Sequence, residues 1–204
     1  MKKLLLAGFL AGLSSTVFAA VGCDLNDPDR DVKRLFPEST GYKTQYFSLK
    51  PGGPALLARV EQRLGDKFKG LYEDIEVPYT LYAIYKGTET AGYIHGVNQK
   101  GEYGGIQVFL AVDAQGVIKA FYIQKLTSRA AKDLRAKEFG AQFKGLSLKD
   151  FEVYDPVKAK TPEGSPAARI KAPAKAGNDF NSVMRAVKKN LILMDEFVFS
   201  KKVK

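Results

Sequence analysis

The sequence predicts an α+β fold: a single domain with an antiparallel sheet of about four to six strands and helices packed on it, after a cleaved signal peptide. Three observations predict this fold. An apolar run from Leu4 to Ala20 follows two lysines. Residues 79–126 contain segments rich in β-branched and aromatic residues, with turn-forming residues between them. Apolar residues then recur at helical spacing from Phe180 to Met194.

Residues 1–22 have the pattern of a secretory signal peptide. Lys2 and Lys3 form a cationic start, Leu4 to Ala20 an apolar core, and the small residues at its end a cleavage zone. An uncleaved membrane anchor is the less favoured alternative, because a run of this length is at the short limit for a spanning helix. The pattern predicts export to the periplasm or to the outer face of the inner membrane.

Two cleavage sites compete at the end of this segment. Ordinary small-residue cuts fall near Ala19 or Ala20, whereas AVGC, ending at Cys23, resembles the lipobox of bacterial lipoproteins. Cys23 is the only cysteine, and an unpaired thiol in an exported protein is a liability unless it is used. We favour acylation of Cys23, which would anchor the protein to a membrane surface, over a free cysteine in a frayed N-terminus. Asp24 resembles the signal that retains lipoproteins at the inner membrane.

The charge of the chain narrows the range of partners. The net charge is +10, and it becomes +8 once Lys2 and Lys3 are removed. A basic exported protein is suited to anionic lipid headgroups, acidic partner proteins or phosphorylated small molecules. The lysines are spread along the chain and no nucleic-acid motif is present, so no nucleic-acid partner is expected.

The segment before the strands is expected to contain a tether and a helix. Residues 23–35 are polar and interrupted by proline, which predicts a tether ending in a short helix, and the domain itself is expected over residues 36–204. The stretch LFPESTGY turns the chain. A helix is expected from about Pro54 to Leu64, where apolar residues recur at helical spacing and Gly65 follows as a natural stop.

The middle of the chain is expected to form strands, which begin near Tyr79, Ala91, Gly104 and Gly116. The sequence DAQG, residues 113–116, joins the last two as a hairpin. The stretch IQVFLAV is apolar on both faces, which predicts a central strand covered on two sides. A second helix is expected from Ser128 to about Phe139.

The last third of the chain combines a long loop with a helix. Residues 155–177 hold four prolines among small and basic residues, which predicts an extended surface loop. The loop leads to the final helix, whose apolar stripe runs from Phe180 to Met194. The closing stretch EFVFSKKVK is expected to form an edge strand or an irregular tail.

The sequence lacks the combinations of residues that most catalytic mechanisms require. One histidine and one cysteine supply no metal-ligand cluster, and His95 is interpreted as a structural or surface imidazole. There is no Gly-x-Ser-x-Gly nucleophile elbow. The adjacent carboxylates Glu73 and Asp74 are interpreted as a solvated turn.

The start of the final helix is the best candidate for a ligand site. Its first backbone N–H groups lack partners within the helix, and the helix dipole attracts anions such as phosphate. Gly177 permits close approach, Asn178 or Asp179 is expected to cap the helix, and Asn181 and Ser182 add polar side chains. An ordinary capped helix is the alternative interpretation, and the carboxylate of Asp179 opposes an anion.

Three parts of the sequence also resemble a known protein family. The stretch GYIHGVNQKGEYGGIQVFLAVDAQGVIKAFYIQKLTSRAA, the stretch FGAQFKGLSL and the final helix resemble the exported FMN-binding domain. That domain occurs in periplasmic flavin subunits of Rnf-type and sodium-translocating quinone reductase complexes and in the regulator of nitrous oxide reduction. The resemblance covers residues 36–197 and is strongest over residues 92–148. It implies a flavoprotein of electron transport whose FMN is joined to a threonine in a Gly-Ala-Thr-x-Thr motif at a helix start.

The chain departs from that flavinylation motif. Gly177 and Ser182 match it, but Asn178 stands at the alanine, Asp179 at the first threonine and Asn181 at the threonine that accepts the flavin. An asparagine cannot form the phosphoester, and Ser182 is one step further around the helix. The stretch LTSRAAKD also replaces the Glu-Thr-Pro-Gly that the family tends to have near the isoalloxazine ring.

Two hypotheses follow from the resemblance. In the first, FMN binds without a covalent bond and electrons pass at the outer face of the inner membrane; the contacting residues would be Gly104, Gly105, Gly177, Asn178, Asn181 and Ser182. In the second, the flavin site is lost and the fold is a binding or assembly lipoprotein for an envelope redox partner, either a protein or a membrane complex. Both predict an electron-transfer or accessory protein more than an autonomous enzyme.

Overall fold

The protein, described here by a computed structural model over residues 22–200, is built on a five-stranded antiparallel sheet. The strands lie side by side in chain order: β1 (Gly41–Phe47), β2 (Tyr79–Lys86), β3 (Glu89–Lys100), β4 (Gly105–Asp113) and β5 (Ile118–Lys125). Helices cover both faces, so the predicted α+β class is confirmed. Within residues 22–200 no helix is long and apolar enough to cross a membrane.

One face of the sheet is covered by the last helix, α6 (Gly177–Met194), which packs across β3 and β4. Its apolar stripe, including Val183, Val187 and Leu191, lies in the main core. Helix α2 (Gly53–Leu64) packs beside α6 and ends at Gly65, whose backbone adopts the left-handed conformation that favours glycine. Both helices were predicted from the periodicity of the sequence.

The other face of the sheet is covered by the segment before β1. Helix α1 (Pro28–Leu35) begins at Asp27, whose side chain accepts a hydrogen bond from the Arg30 N–H. Five apolar residues of this segment are buried against β2, β3 and β4: Cys23, Leu25, Val32, Leu35 and Phe36. Residues 23–35 include the expected short helix, but they do not form a loose tether, because their apolar side chains complete a second core.

β4 has the position predicted from its apolar pattern. It lies between β3 and β5, with Val108 and Leu110 facing α6 and Phe109 and Ala111 in the core beneath α1. Both faces of this strand are therefore removed from water, and a run without polar alternation suits that environment.

Strand β1 was not predicted. Its sequence, GYKTQYF, is too polar to resemble a buried strand, and it forms the edge of the sheet, with Tyr46 68% exposed. Its pairing with β2 runs from Gly41 opposite Tyr85 to Phe47 opposite Tyr79. The partner strand, rather than local hydrophobicity, holds this segment extended.

The helix expected from Ser128 to Phe139 is replaced by two short helices, α3 (Ala131–Leu134) and α4 (Lys137–Ala141). Ala136 between them is extended. The break lets the Arg135 guanidinium turn back and donate to the carbonyl oxygens of Ile123 and Gln124 on β5.

The remaining connections differ in part from expectation. Helix α5 (Leu148–Phe151) precedes the Pro-rich loop, which contains the 3₁₀ turn Pro166–Arg169 and buries Ala167 and Ile170. The stretch EFVF forms no strand: Asp195–Phe199 is a π-helical turn that continues α6. Arg59 and Arg63 of α2 pair with Asp195 and Glu196 and hold this turn in place. Residues 201–204, and the predicted signal peptide apart from Gly22, lie outside the described residues.

Candidate functional site

The loop between β3 and β4 meets the start of α6. The Gly101 N–H donates to the Gly104 carbonyl oxygen at 2.8 Å, which closes a tight turn. A Cβ on Gly101 would lie 2.8 Å from Oδ1 of Asp179, so a larger residue at this position would displace that carboxylate. The structure therefore brings this glycine-rich loop, residues 101–104, against the start of α6, as the first hypothesis requires.

Asp179 is the residue that joins them. Its Oδ1 accepts a hydrogen bond from the Glu102 backbone N–H at 2.8 Å, and its side chain is 1% exposed. The carboxylate thus sits in the first turn of α6, where the helix dipole attracts negative charge. A second carboxylate is near, because a Cβ on Gly177 would lie 3.6 Å from Oε2 of Glu102.

The other predicted residues of the helix start contribute less. The helix begins after Ala176 without a side-chain cap, so capping by Asn178 or Asp179 was wrong: Asp179 bonds to the neighbouring loop instead. Gly177 has φ +49°, in the left-handed region, and it is exposed together with Asn178. Asn181 and Ser182 are half-buried. The backbone carbonyl of Asn181 accepts a hydrogen bond from the Tyr154 hydroxyl at 3.3 Å.

A groove of about 660 Å³ opens beside the same loop. Gly104 lines it with Tyr72, Lys69, Lys100 and Arg185, whereas none of the four predicted α6 residues does so. Gly105 lies directly behind Tyr72, because a Cβ on this glycine would come within 2.6 Å of the Tyr72 hydroxyl. Tyr72 therefore occupies the space beside Gly105 that the first hypothesis assigns to the flavin ring.

A buried ion-pair network forms the wall of this groove, and sequence reasoning missed it. Glu73 is 5% exposed, so its interpretation as part of a solvated turn was wrong. It pairs with Arg185, and its Oε1 accepts from Lys189 Nζ at 2.7 Å. Arg185 also bonds to Asp66 at 2.8 Å and to the side-chain oxygen of Gln99 at 2.8 Å. The network fastens residues 66–73 to α6.

The charges in this network follow from burial and pairing. Burial alone would raise the pKa of Glu73, but Lys189 and Arg185 hold that pKa below its usual value. Burial lowers the pKa of Lys189 to about 8, against the opposing effect of Glu73. At neutral pH all three groups are charged. Because each has its partners in place, the network is suited to holding the loop rather than to transferring protons.

His95 is structural, one of the two alternatives predicted for it. Asn190 donates its amide hydrogens to the carbonyl oxygens of His95 and Val108, so its side-chain oxygen accepts from Nδ1 of His95 at 2.9 Å. The imidazole is fully buried, and burial lowers its pKa to about 4. The imidazole of His95 is therefore neutral and hydrogen-bonded to α6.

Cys23, the predicted lipidation site, lies at the beginning of the packed N-terminal segment. It is 2% exposed, and burial raises the pKa of its thiol well above the usual range. Hydrogen bonds hold the chain beside it: the Thr80 hydroxyl donates to the Asp24 carboxylate at 2.6 Å, the Gln124 amide to the Asp24 carbonyl oxygen at 2.8 Å, and the Leu25 N–H to the Tyr82 hydroxyl at 3.1 Å. Cys23 is buried against the sheet, so a lipid group attached to its Sγ would require residues 23–25 to move away from the sheet.

The residues at the start of α6 do not fit the phosphate of FMN. A phosphate there would meet the buried carboxylate of Asp179 and approach that of Glu102, and each would repel it. The N–H group of Glu102 in the adjoining loop already donates to Asp179. Asn181, at the place of the flavin-accepting threonine, has no hydroxyl to esterify. Within residues 22–200, no three His, Cys, Asp or Glu side chains are placed together so that they could hold a metal ion.

The fold and the site define a class: an α+β domain with a five-stranded meander sheet, closed on both faces and carrying a glycine-rich loop against a helix start. No protein-family model and no curated protein matches the chain. Among solved structures it is similar to NqrC of Shewanella oneidensis, with a TM-score of 0.57 and 15% sequence identity over 89% of this chain and 91% of that chain. At this identity the likeness shows a shared NqrC-like fold. The resemblance to the FMN-binding domain is thus supported in its fold, while the flavinylation motif is not.

Proposed function

We propose that this protein is an accessory module of a membrane-associated redox complex in the cell envelope, built on an NqrC-like fold that has given up the flavin phosphate site. The fold similarity supports the association with such a complex. One observation carries the loss of the site: the buried carboxylate of Asp179 lies in the first turn of α6 and bonds to the Glu102 N–H. The chain itself supplies the anion that the helix start attracts.

Tyr72 supports the same proposal from the other side of the loop. Its hydroxyl lies against Gly105, in the space that close packing of a flat ring near this glycine would need. Both ends of the expected flavin site are therefore filled by side chains of the protein. The role that remains is binding: the module presents a rigid surface to an envelope redox protein or membrane complex and performs no chemistry of its own.

The second candidate is noncovalent FMN binding with a role in electron transfer. The groove of about 660 Å³ favours it, because the exposed side chains of Lys69 and Lys100 and the ring of Tyr72 line this groove beside Gly104. The two lysines would then hold the phosphate away from α6, and Tyr72 would have to leave Gly105. FMN supplies one- and two-electron transfer when bound.

Export and anchoring belong to the same proposal. The signal-like segment would direct the domain to the periplasm or to the outer face of the inner membrane, and acylation of Cys23 would hold it there as a lipoprotein. The protein would act as an accessory or electron-transfer protein rather than as an autonomous enzyme.

The deciding experiment is the visible spectrum of the full chain purified from its native envelope, followed by calorimetric titration with FMN. We expect a colourless protein and no heat of binding. Yellow colour that stays in the supernatant after acid precipitation would support noncovalent FMN. Loss of that binding in Lys69→Glu/Lys100→Glu, but not in a matched Lys43→Glu/Lys86→Glu variant, would locate it in the groove. Colour that stays in the pellet would reveal a covalent site and overturn the proposal.

A further inference from the structure

A second groove, of about 510 Å³, lies along the β5 edge of the sheet, between β5 and the α3–α4 pair. Its walls are strongly basic. Five cationic side chains line it, and no Asp or Glu among the described residues does so; the cations are Arg34, Lys119, Arg135, Lys137 and Lys144. This surface belongs neither to the glycine-rich loop nor to the start of α6.

Two of these cations already have acidic neighbours. Arg34 lies 3.4 Å from Asp31 and stacks its guanidinium 4.4 Å from the centre of the Tyr122 ring. Lys119 lies 3.3 Å from Glu38.

The other three cations have no acidic partner in the described part of the chain. Arg135 bonds only to neutral groups, the carbonyl oxygens of Ile123 at 3.2 Å and Gln124 at 3.0 Å. Lys137 and Lys144 are exposed and form no ion pair within residues 22–200. A concave surface with unbalanced positive charge concentrates anions, because its walls focus the field.

The backbone of β5 is not free to bind an added strand. At one end, Ile118 exchanges hydrogen bonds with Gly145 and Leu146, each at 2.8 Å. At the other end Arg135 occupies the carbonyl oxygens, and in the middle a Cβ on Gly140 of α4 would lie 3.4 Å from the Phe121 carbonyl oxygen. Recognition here must therefore use side-chain charge rather than strand pairing.

We propose that this groove docks an acidic, extended segment of a partner protein. Its cations line a concavity, which suits a chain that can lie within it and place carboxylates on both walls; a bilayer surface is flat and meets protruding lysines instead. Ion pairs between exposed lysines and carboxylates increase mainly the association rate and the specificity of binding. The binding is therefore fast, salt-sensitive and reversible. The inference does not depend on whether the protein binds flavin.

The test measures fluorescence anisotropy of a fluorescein-labelled poly-L-glutamate peptide titrated with the full chain. Lys137→Glu/Lys144→Glu reverses the two cations without partners, and Lys43→Glu/Lys86→Glu makes the same change of net charge at the β1–β2 edge of the sheet. All four lysines are exposed, so both variants are expected to fold, which far-ultraviolet circular dichroism checks. We expect the groove variant to lose about tenfold in affinity and the control to lose less than about twofold.

Three outcomes would overturn the proposal. Equal losses in both variants would mean that net charge alone attracts the peptide. No binding by the unmodified protein at low salt would remove the groove as an acidic-peptide site. Groove-dependent binding to phosphatidylglycerol vesicles without binding to the peptide would assign the surface to a membrane instead.

Discussion

Asp179 and Glu102 are 77 residues apart in sequence and are joined by one hydrogen bond, from the Glu102 N–H to the Asp179 carboxylate at 2.8 Å. The bond fixes the glycine-rich turn against α6, and it places a negative charge at the helix start for which the sequence predicts an anion site. The same contact therefore serves stability and determines what the site can hold.

Removal of this carboxylate should loosen the turn. We expect Asp179→Ala to lower the free energy of unfolding by about 1–3 kcal/mol, because it leaves the Glu102 N–H without its acceptor. Asp179→Asn should lose roughly half as much, since an amide oxygen still accepts a hydrogen bond. Urea unfolding measures both, with Asn178→Ala at the exposed neighbouring position as control. Equal losses in the alanine and asparagine variants would show that charge, and not the hydrogen bond, matters.

The Glu73–Lys189 pair gives a second prediction. Glu73→Gln leaves the fully buried Lys189 without its counter-charge and should cost about 3–5 kcal/mol of unfolding free energy. Adding Lys189→Met should recover part of the loss, with a coupling of about 1–3 kcal/mol. Asp74→Asn, at the exposed neighbouring carboxylate, should change stability by no more than about 0.5 kcal/mol. Strict additivity in the double variant would contradict a direct interaction.

His95 predicts a pH dependence of stability. Its pKa is about 4 in the folded protein and 6.5 for an ordinary histidine, so the unfolded chain binds more protons between these limits. Stability contributed by the neutral ring is therefore present above pH 6.5 and is lost as pH falls, by about 2 kcal/mol at pH 5. Glu73 and Glu196 have pKa values held below 4.5, so they lose their contribution only at lower pH.

The pH dependence can be assigned because His95 is the only histidine of the chain. Urea unfolding at pH 7.5 and at pH 5 should show the loss in the unmodified protein and not in His95→Gln. A loss of the same size in both proteins would mean that another group titrates in this range.

Acylation of Cys23 predicts a change of location. Cys23→Ser should move the protein from the membrane fraction to the soluble fraction of the envelope, since one thioether-linked lipid group would be lost. The buried position of Cys23 adds a structural expectation: the acylated form should lack the hydrogen bond between the Leu25 N–H and Tyr82. Unchanged fractionation, with a free thiol by mass spectrometry, would contradict acylation.

The sequence was most informative where local pattern and tertiary environment agree. The apolar stripe of α6 and the two-sided apolar run of β4 both lie where their periodicity predicts. β1 was missed because its polar residues suit an exposed edge that only β2 defines. The break between α3 and α4 depends on Arg135 reaching carbonyl groups of a different element, which no local propensity encodes.

The candidate site was predictable only in part for the same reason. Gly105 and the α6 start were found because glycines and helix termini have local signatures. The role of Glu73 depends on Lys189 and Arg185, more than a hundred residues further along, and beside Asp74 it looks like an ordinary charged turn. For Asp179, sequence indicated the conflict with an anion but not the Glu102 N–H that the carboxylate binds.

The two faces of the sheet are closed by opposite ends of the described chain: α6 covers one, and the segment from Cys23 to Phe36 covers the other. The Asn26 N–H bonds to the Gln124 side chain on β5, so the full set of contacts of this early segment requires the last strand. Contacts between distant parts of a chain form late, because they require closure of long loops. If such a chain crossed a membrane in extended form, its sheet would stay open on one face until the final helix emerged, and folding would be completed only near the end of translocation.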